Sequence, residues 1–135
     1  MVKFIFGVKG SGKTKKMLDL ANEAGKNANG SIVYIDRDRN HIYDLDKSIR
    51  LIDTSDFNLD TLNSFYGFLC GVISQNFDIE KIFIDGQKII TNAQDSLLEE
   101  FVSCLKKLES KFEVSFIVSC SRGEDGIPEF LRAYL

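Results

Sequence analysis

The stretch FGVKGSGKTKKM, residues 6 to 17, contains three glycines within six positions, and a lysine and a threonine follow directly at Lys13 and Thr14. Glycine weakens both helices and strands, because it loses more backbone freedom on folding than any other residue. It also permits conformations and close approaches that a Cβ atom would block, which frees backbone N–H groups to surround an anion. Such a loop beside an ammonium group and a hydroxyl predicts the binding of phosphate oxygens and a hard cation.

Residues 7 to 14 fit the pattern G-x-x-x-x-G-K-[ST], known as the P-loop or Walker A motif. The pattern requires a strand before it and a helix after it, and the hydrophobic spacing on either side predicts both. Lys13 is expected to act as a catalytic residue that neutralises the β- and γ-phosphates, and the Thr14 hydroxyl to ligate Mg²⁺. The phosphate-binding residues predicted from the motif are Val8, Lys9, Gly10, Ser11, Gly12, Lys13 and Thr14. For Lys9, a solvated loop position is an open alternative.

The run IFID, residues 82 to 85, ends an apolar strand on an aspartate, which is the Walker B arrangement. We expect Asp85 to hold Mg²⁺ through a water molecule, so that Thr14 and Asp85 are the two predicted metal residues. A strand-end aspartate without a ligand is the open alternative. Gly86 follows Asp85, so no second acid stands beside it to activate a water molecule, and this favours binding without turnover.

The elements that must position these residues follow from the hydrophobic pattern. Apolar runs predict strands, and apolar stripes at helical spacing predict helices between them, one of them capped by Asn58. Because the strands are continuously apolar rather than alternating, they predict a mostly parallel sheet that is covered by helices on both faces. We therefore predict one α/β domain over residues 1–135, with three α/β/α layers and five strands. The predicted strands are residues 2–6, 32–35, 49–52, 81–85 and 114–120.

With these motifs the chain resembles the P-loop NTPases, and the order of its parts resembles the RecA-like ATPase core over nearly the whole chain. The resemblance implies the P-loop NTPase fold, with ATP or another nucleoside triphosphate and Mg²⁺ as ligands. In YIDRD, residues 34 to 38, Asp38 stands where the family carries the acid that polarises the attacking water, which makes it the second candidate catalytic residue. Asp38 is shorter than the usual glutamate and lies between Arg37 and Arg39. A surface salt bridge is therefore its alternative role.

The last predicted strand carries further candidates. FIVSCSR, residues 116 to 122, occupies the place of the family's sensor strand, whose polar end contacts the γ-phosphate. By this resemblance Ser119 is a predicted nucleotide-binding residue, and Ser121 is a second candidate for the same role. Arg122 has two open interpretations, a phosphate contact and an exposed loop arginine.

Three functions are compatible with these residues. The first is a Mg²⁺-dependent ATPase of RecA-like type that acts as a small switch or as part of an assembly. The second is a nucleotide-binding module without turnover, and the third is a kinase of nucleosides or small molecules. No motif in the sequence selects the base of the nucleotide.

Composition limits the partners. The 17 basic and 20 acidic residues give a net charge of −3, which argues against an extended nucleic-acid interface, where a basic stripe is usual. The three cysteines each lie in an apolar context, which predicts buried reduced thiols, and their wide separation together with a single histidine argues against a zinc site. No apolar run is long enough for a membrane span or a signal peptide, so we predict a cytoplasmic protein. A protein partner and a homo-oligomer both stay open.

Overall fold

The chain alternates strands and helices in a computed structural model that describes all residues from 1 to 135. The strands are β1 (Val2–Phe6), β2 (Ser31–Asp36), β3 (Arg50–Asp53), β4 (Ile79–Ile84) and β5 (Ser115–Cys120). The helices are α1 (Lys13–Asn27), α2 (Leu62–Ser74), α3 (Lys88–Thr91) and α4 (Asp95–Phe112). Four short 3₁₀ turns cover Ile42–Asp44, Thr54–Asp56, Glu124–Gly126 and Glu129–Tyr134.

The five strands form one sheet in the order β1-β5-β4-β2-β3, and every neighbouring pair is parallel. Helix α1 covers one face, where Met17 and Ala21 pack against Tyr34 and Phe83. Helices α2 and α4 cover the other face and enclose the larger apolar core, which includes Phe65. Parallel strands need long crossover connections, which contain α-helices here except between β2 and β3, and burial on both faces explains the continuous apolar character of the strands. The predicted three-layer α/β fold with a parallel five-stranded sheet is confirmed.

The register of the central strands places polar residues side by side. Ile35 of β2 pairs with Ile84 of β4, and Ile84 pairs with Val118 of β5. The next residues along these strands form a row at the carboxyl edge of the sheet: Asp36, Asp85 and Ser119. Because successive side chains of a strand point to opposite faces, this row lies on the α1 face, above Tyr34 and Phe83. The P-loop joins β1 to α1 at the same edge.

Two details of the secondary structure differ from the prediction. Helix α2 is capped by Thr61, not by Asn58, because the Thr61 hydroxyl accepts the Ser64 N–H at 3.0 Å while the Ser64 hydroxyl accepts the Thr61 N–H at 3.1 Å. This capping box satisfies two helix-end donors at once. The short helix α3 was not predicted, because four residues are too few to show a helical period.

The cysteines and the helices bear on two further expectations. Cys120 is buried in β5, and burial raises the pKa of its thiol. Cys70 and Cys104 are only partly buried, so the prediction of three buried thiols was wrong for these two. None of the helices has the length and the apolar character that a bilayer span requires.

Candidate functional site

The P-loop presents unpaired backbone donors at the start of α1. Gly10 and Gly12 have φ angles of +84° and +91°, in the left-handed region that favours glycine. Ser11 N–H donates to the Val8 carbonyl at 3.1 Å and closes the turn, and Lys16 N–H donates to the Gly12 carbonyl as the first bond of the helix. No side chain caps α1, and its first turn carries no acid. The first N–H groups of the helix are therefore free for an anion.

The lysines of this loop have no acidic partner. The Lys13 ammonium donates to the Val8 carbonyl at 3.2 Å, so its side chain folds back along the loop. Neither Lys9 nor Lys13 forms an ion pair, whereas the neighbouring Lys15 pairs with Asp19 on the exposed side of α1. Two positive charges therefore stand beside free N–H groups, which is the arrangement that binds phosphate.

One polar cleft connects the loop to the strand-end row. Its volume is about 450 Å³, and none of the 17 residues that line it is hydrophobic. Eight of the candidate site residues line it: Lys9, Gly10, Lys13, Thr14, Asp38, Asp85, Ser119 and Ser121. Val8, Ser11 and Gly12 belong to the same loop but do not line the cleft. The polar residues of this lining suit phosphates and a metal ion.

Asp85 is held from both sides by buried hydroxyl groups. The Tyr34 phenol donates to Asp85 Oδ2 at 2.8 Å, and the Ser119 hydroxyl donates to Asp85 Oδ1 at 2.5 Å. Burial and the charge of Asp85 raise the pKa of Tyr34 strongly, so the phenol stays protonated and remains a donor. Gln87 donates to the Asp85 carbonyl at 3.1 Å and fixes the backbone there. Ser119, predicted to contact the nucleotide, thus lies in the cleft with its hydroxyl hydrogen directed to Asp85.

Asp36 is a cleft residue that sequence reasoning missed. It is 4% exposed and lies beside Asp85 in the strand-end row. Its Oδ1 accepts the Arg37 N–H at 2.8 Å. Burial, and to a lesser degree the charges of Asp85 and Asp38, raise the pKa of Asp36 to about 6, although the Arg37 N–H opposes the shift. The available signal was the run of apolar residues before Asp36, which matches the run before Asp85.

Asp38 lies farther out in the cleft than Asp36. Its side chain is 39% exposed, and its Oδ2 lies 3.9 Å from the Arg37 guanidinium. Its Oδ1 accepts the Asn40 N–H at 3.0 Å. The loop after β2 therefore orients Asp38 at the rim of the cleft, and one of its oxygens has only a distant cation as a neighbour.

Arg122 is neither positioned to contact a phosphate in the cleft nor exposed on a loop, the two roles considered from the sequence. It does not line the cleft, and its side chain is only 14% exposed. Its guanidinium donates to the carbonyls of Thr91 and Ala93 at 2.9 and 2.6 Å and pairs with Asp95 at 3.1 Å. Arg122 thus ties the loop after β5 to the loop between α3 and α4.

The donor atoms of the cleft fit the ligands that the P-loop implies. The Thr14 hydroxyl and the carboxylates of Asp85 and Asp36 are hard oxygen donors, which Mg²⁺ prefers. No cysteine lines the cleft, so no soft donor would favour a thiophilic metal instead. Thr14 and Asp85, the two residues predicted to hold the ion, both line the cleft, and so does Asp36.

Comparison with known proteins gives one fold relationship. No protein-family model matches the chain, and no curated protein matches it. Among solved structures, a KaiC-like protein from the hyperthermophilic archaeon Pyrococcus horikoshii OT3 matches with a TM-score of 0.58 and 18% sequence identity. The match covers 96% of this chain and 67% of the archaeal chain. At this identity the match shows the fold alone, an α/β fold with a parallel sheet that helices cover on both faces.

The Tyr34 hydrogen bond generates a first prediction. Tyr34→Phe removes a donor from a buried carboxylate, so we expect the free energy of unfolding to fall by about 1.5 to 3 kcal/mol. Tyr43→Phe is the matched control, because Tyr43 is 96% exposed and forms no hydrogen bond through its phenol. Urea denaturation of both variants measures the difference. Equal stability of the two variants would contradict the assigned bond.

The raised pKa of Asp36 generates a second prediction. The folded state binds this proton more tightly than the unfolded state, whose pKa is near 3.8, so the contribution of Asp36 to stability falls as the pH rises from about 4 to about 6. Asp36→Asn removes this fall. We expect the stability of the variant relative to the wild type to rise by on the order of 2 kcal/mol across that range.

Denaturant titrations at several pH values measure this difference. Asp53→Asn is the control, because Asp53 is in register with Asp36 one strand away and its pKa is lowered, not raised, by the Ser55 N–H. We expect the stability of this control relative to the wild type not to rise across that pH range. If the free energy of unfolding of the wild type and of Asp36→Asn changed with pH in the same way, the raised pKa of Asp36 would be contradicted.

Proposed function

We propose that this chain binds a magnesium nucleoside triphosphate, with ATP as the leading candidate, and hydrolyses it slowly. The observation that carries the proposal is one polar cleft, which is lined both by P-loop residues and by the buried carboxylate of Asp85. The donors suit phosphate oxygens and the carboxylate suits a hard cation, so one ligand, a metal–phosphate complex, satisfies both walls. The RecA-like fold of the KaiC-like neighbour supports the proposal at the level of the fold.

In the proposed mechanism the chain contributes positioning and electrostatic stabilisation. The N–H groups of the P-loop hold the phosphate oxygens, and Lys13 leaves the Val8 carbonyl to contact the β- and γ-phosphates. Bound Mg²⁺ would supply charge neutralisation on those phosphates. Asp38 orients the attacking water through its Oδ2, which no backbone donor occupies. Ser119 and Tyr34 keep Asp85 in one orientation.

A second candidate is a nucleotide-binding module without turnover. Two observations favour it: Gly86 rather than an acid follows Asp85, and Asp38 is partly exposed beside Arg37. An Asp38 carboxylate engaged by Arg37 would not orient water. Binding and turnover therefore need separate experiments.

Nucleotide binding is tested by thermal stabilisation. We expect ATP with Mg²⁺ to raise the melting temperature of the wild type, since a ligand at a hundredfold excess over Kd stabilises by about 2.7 kcal/mol. Lys13→Ala should lose most of this stabilisation. Lys16→Ala is the matched control, because Lys16 is an exposed lysine of the same helix that does not line the cleft. ADP, GTP and dTTP in the same assay report the base preference. A wild type that no nucleotide stabilises would refute the proposal.

Turnover is tested by steady-state phosphate release. If Asp38 orients the attacking water, Asp38→Ala should lower kcat by at least about 100-fold while the affinity for ATP changes little. Asp44→Ala is the control, since Asp44 lies on the same loop outside the cleft. Release that is unchanged in Asp38→Ala would exclude this role. ATP binding without any release by the wild type would support the module without turnover.

A further inference from the structure

The strand-end row contains a second buried carboxylate to which neither the P-loop motif nor the Walker B arrangement gives a role. We propose that Asp36 is a second carboxylate of the Mg²⁺ site, which holds the water shell of the ion together with Asp85. The inference rests on the proposed function, because it concerns the metal that accompanies the nucleotide. It adds a residue from β2 to a site that the sequence motifs place on α1 and β4.

The register of the sheet brings the two carboxylates together. Asp36 directly follows Ile35, Asp85 directly follows Ile84, and these two isoleucines pair across β2 and β4. Neighbouring strands lie about 4.8 Å apart, and side chains at equivalent positions share a face. Both aspartates are 4% exposed, and both line the cleft that Thr14 also lines.

Of the two aspartates, only Asp36 has a carboxylate oxygen that accepts no hydrogen bond from the protein. Each oxygen of Asp85 already accepts a hydroxyl, from Tyr34 or from Ser119. Asp36 Oδ1 accepts the Arg37 N–H, whereas Asp36 Oδ2 has no donor in the protein. No fully buried side-chain oxygen lacks a hydrogen-bond partner, so this Oδ2 faces the cleft. Mg²⁺ retains several of its waters in proteins, and these waters can bridge to such an oxygen.

The charges around the pair call for a cation. Neither Asp36 nor Asp85 takes part in any ion pair. Lys13 is bound to a carbonyl, and Arg37 is directed to Asp38. Two buried carboxylates on neighbouring strands repel each other, and a divalent ion between them removes the repulsion.

A structural role as a strand-end cap is the competing explanation of Asp36. The bond from Arg37 N–H serves that role, and an asparagine oxygen would accept it equally well. Asp36→Asn therefore retains the cap and removes the charge, which separates the two explanations. Asp53→Asn is the matched control, since Asp53 is in register with Asp36 on β3, caps its own turn through Ser55 N–H and does not line the cleft.

The test uses Mn²⁺ as the probe of the metal site and a fluorescent ATP analogue as the probe of the phosphate site. EPR of free Mn²⁺ gives the metal affinity of the protein–ATP complex, and fluorescence in EDTA gives the metal-free nucleotide affinity. We expect Asp36→Asn to weaken Mn²⁺ binding by about 10- to 100-fold. Its metal-free nucleotide affinity should stay equal or rise, because a negative charge near the phosphates is removed. Asp53→Asn should change neither affinity.

Each outcome decides between the explanations. Unchanged Mn²⁺ affinity in Asp36→Asn would overturn the inference and leave the proposed function intact. An equal loss of both affinities would assign Asp36 a structural role and overturn it as well. A wild type that does not bind the fluorescent analogue would refute the proposed function itself, and the inference with it. If Asp36→Asn does not fold, Asp36→Ser, which keeps a hydroxyl acceptor for Arg37 N–H, replaces it with the same expected outcomes.

Discussion

The burial of two carboxylates at adjacent strand ends is the constraint on which the rest of the site depends. A buried carboxylate is unfavourable unless hydrogen bonds or a cation compensate for the lost water. For Asp85 the compensation comes from Tyr34 and Ser119, residues of the two strands on either side of it. Asp36 has a single backbone donor, and its raised pKa reports the remaining cost. The parallel sheet thus places the two carboxylates side by side, and its neighbouring strands supply the hydrogen bonds to Asp85.

The P-loop side of the cleft has the complementary property, because the backbone donors at the start of α1 lack acceptors in the protein. Helix α1 begins without a cap, and the lysines of the P-loop have no acidic partner. P-loop donors without acceptors and carboxylates without an ion-pair partner thus line one polar cleft. A phosphate group would accept hydrogen bonds from the P-loop donors, and a hydrated divalent cation would neutralise the carboxylates. This complementarity is the physical basis of the proposed ligand, and it does not depend on any relative of the protein.

Much of this arrangement could be predicted from the sequence, since a motif with fixed spacing and continuously apolar strands are both local signals. Asp36 could not be selected in the same way, because only strand register shows that it lies beside Asp85. The cap of α2 was misplaced because Asn58 and Thr61 are both good capping residues, and the choice depends on the partner Ser64. Arg122 was misjudged because its acceptors are carbonyls of the α3 region, a segment without a recognisable pattern.

The central claim is that P-loop donors and the strand-end carboxylates bind one metal–nucleotide complex together. A crystal structure with a non-hydrolysable ATP analogue and Mn²⁺ tests it most directly, because anomalous scattering locates the metal without ambiguity. We predict one manganese peak between the Thr14 hydroxyl and the carboxylates of Asp85 and Asp36, with the γ-phosphate at the Lys13 ammonium. A metal or a triphosphate bound outside this cleft would contradict the claim.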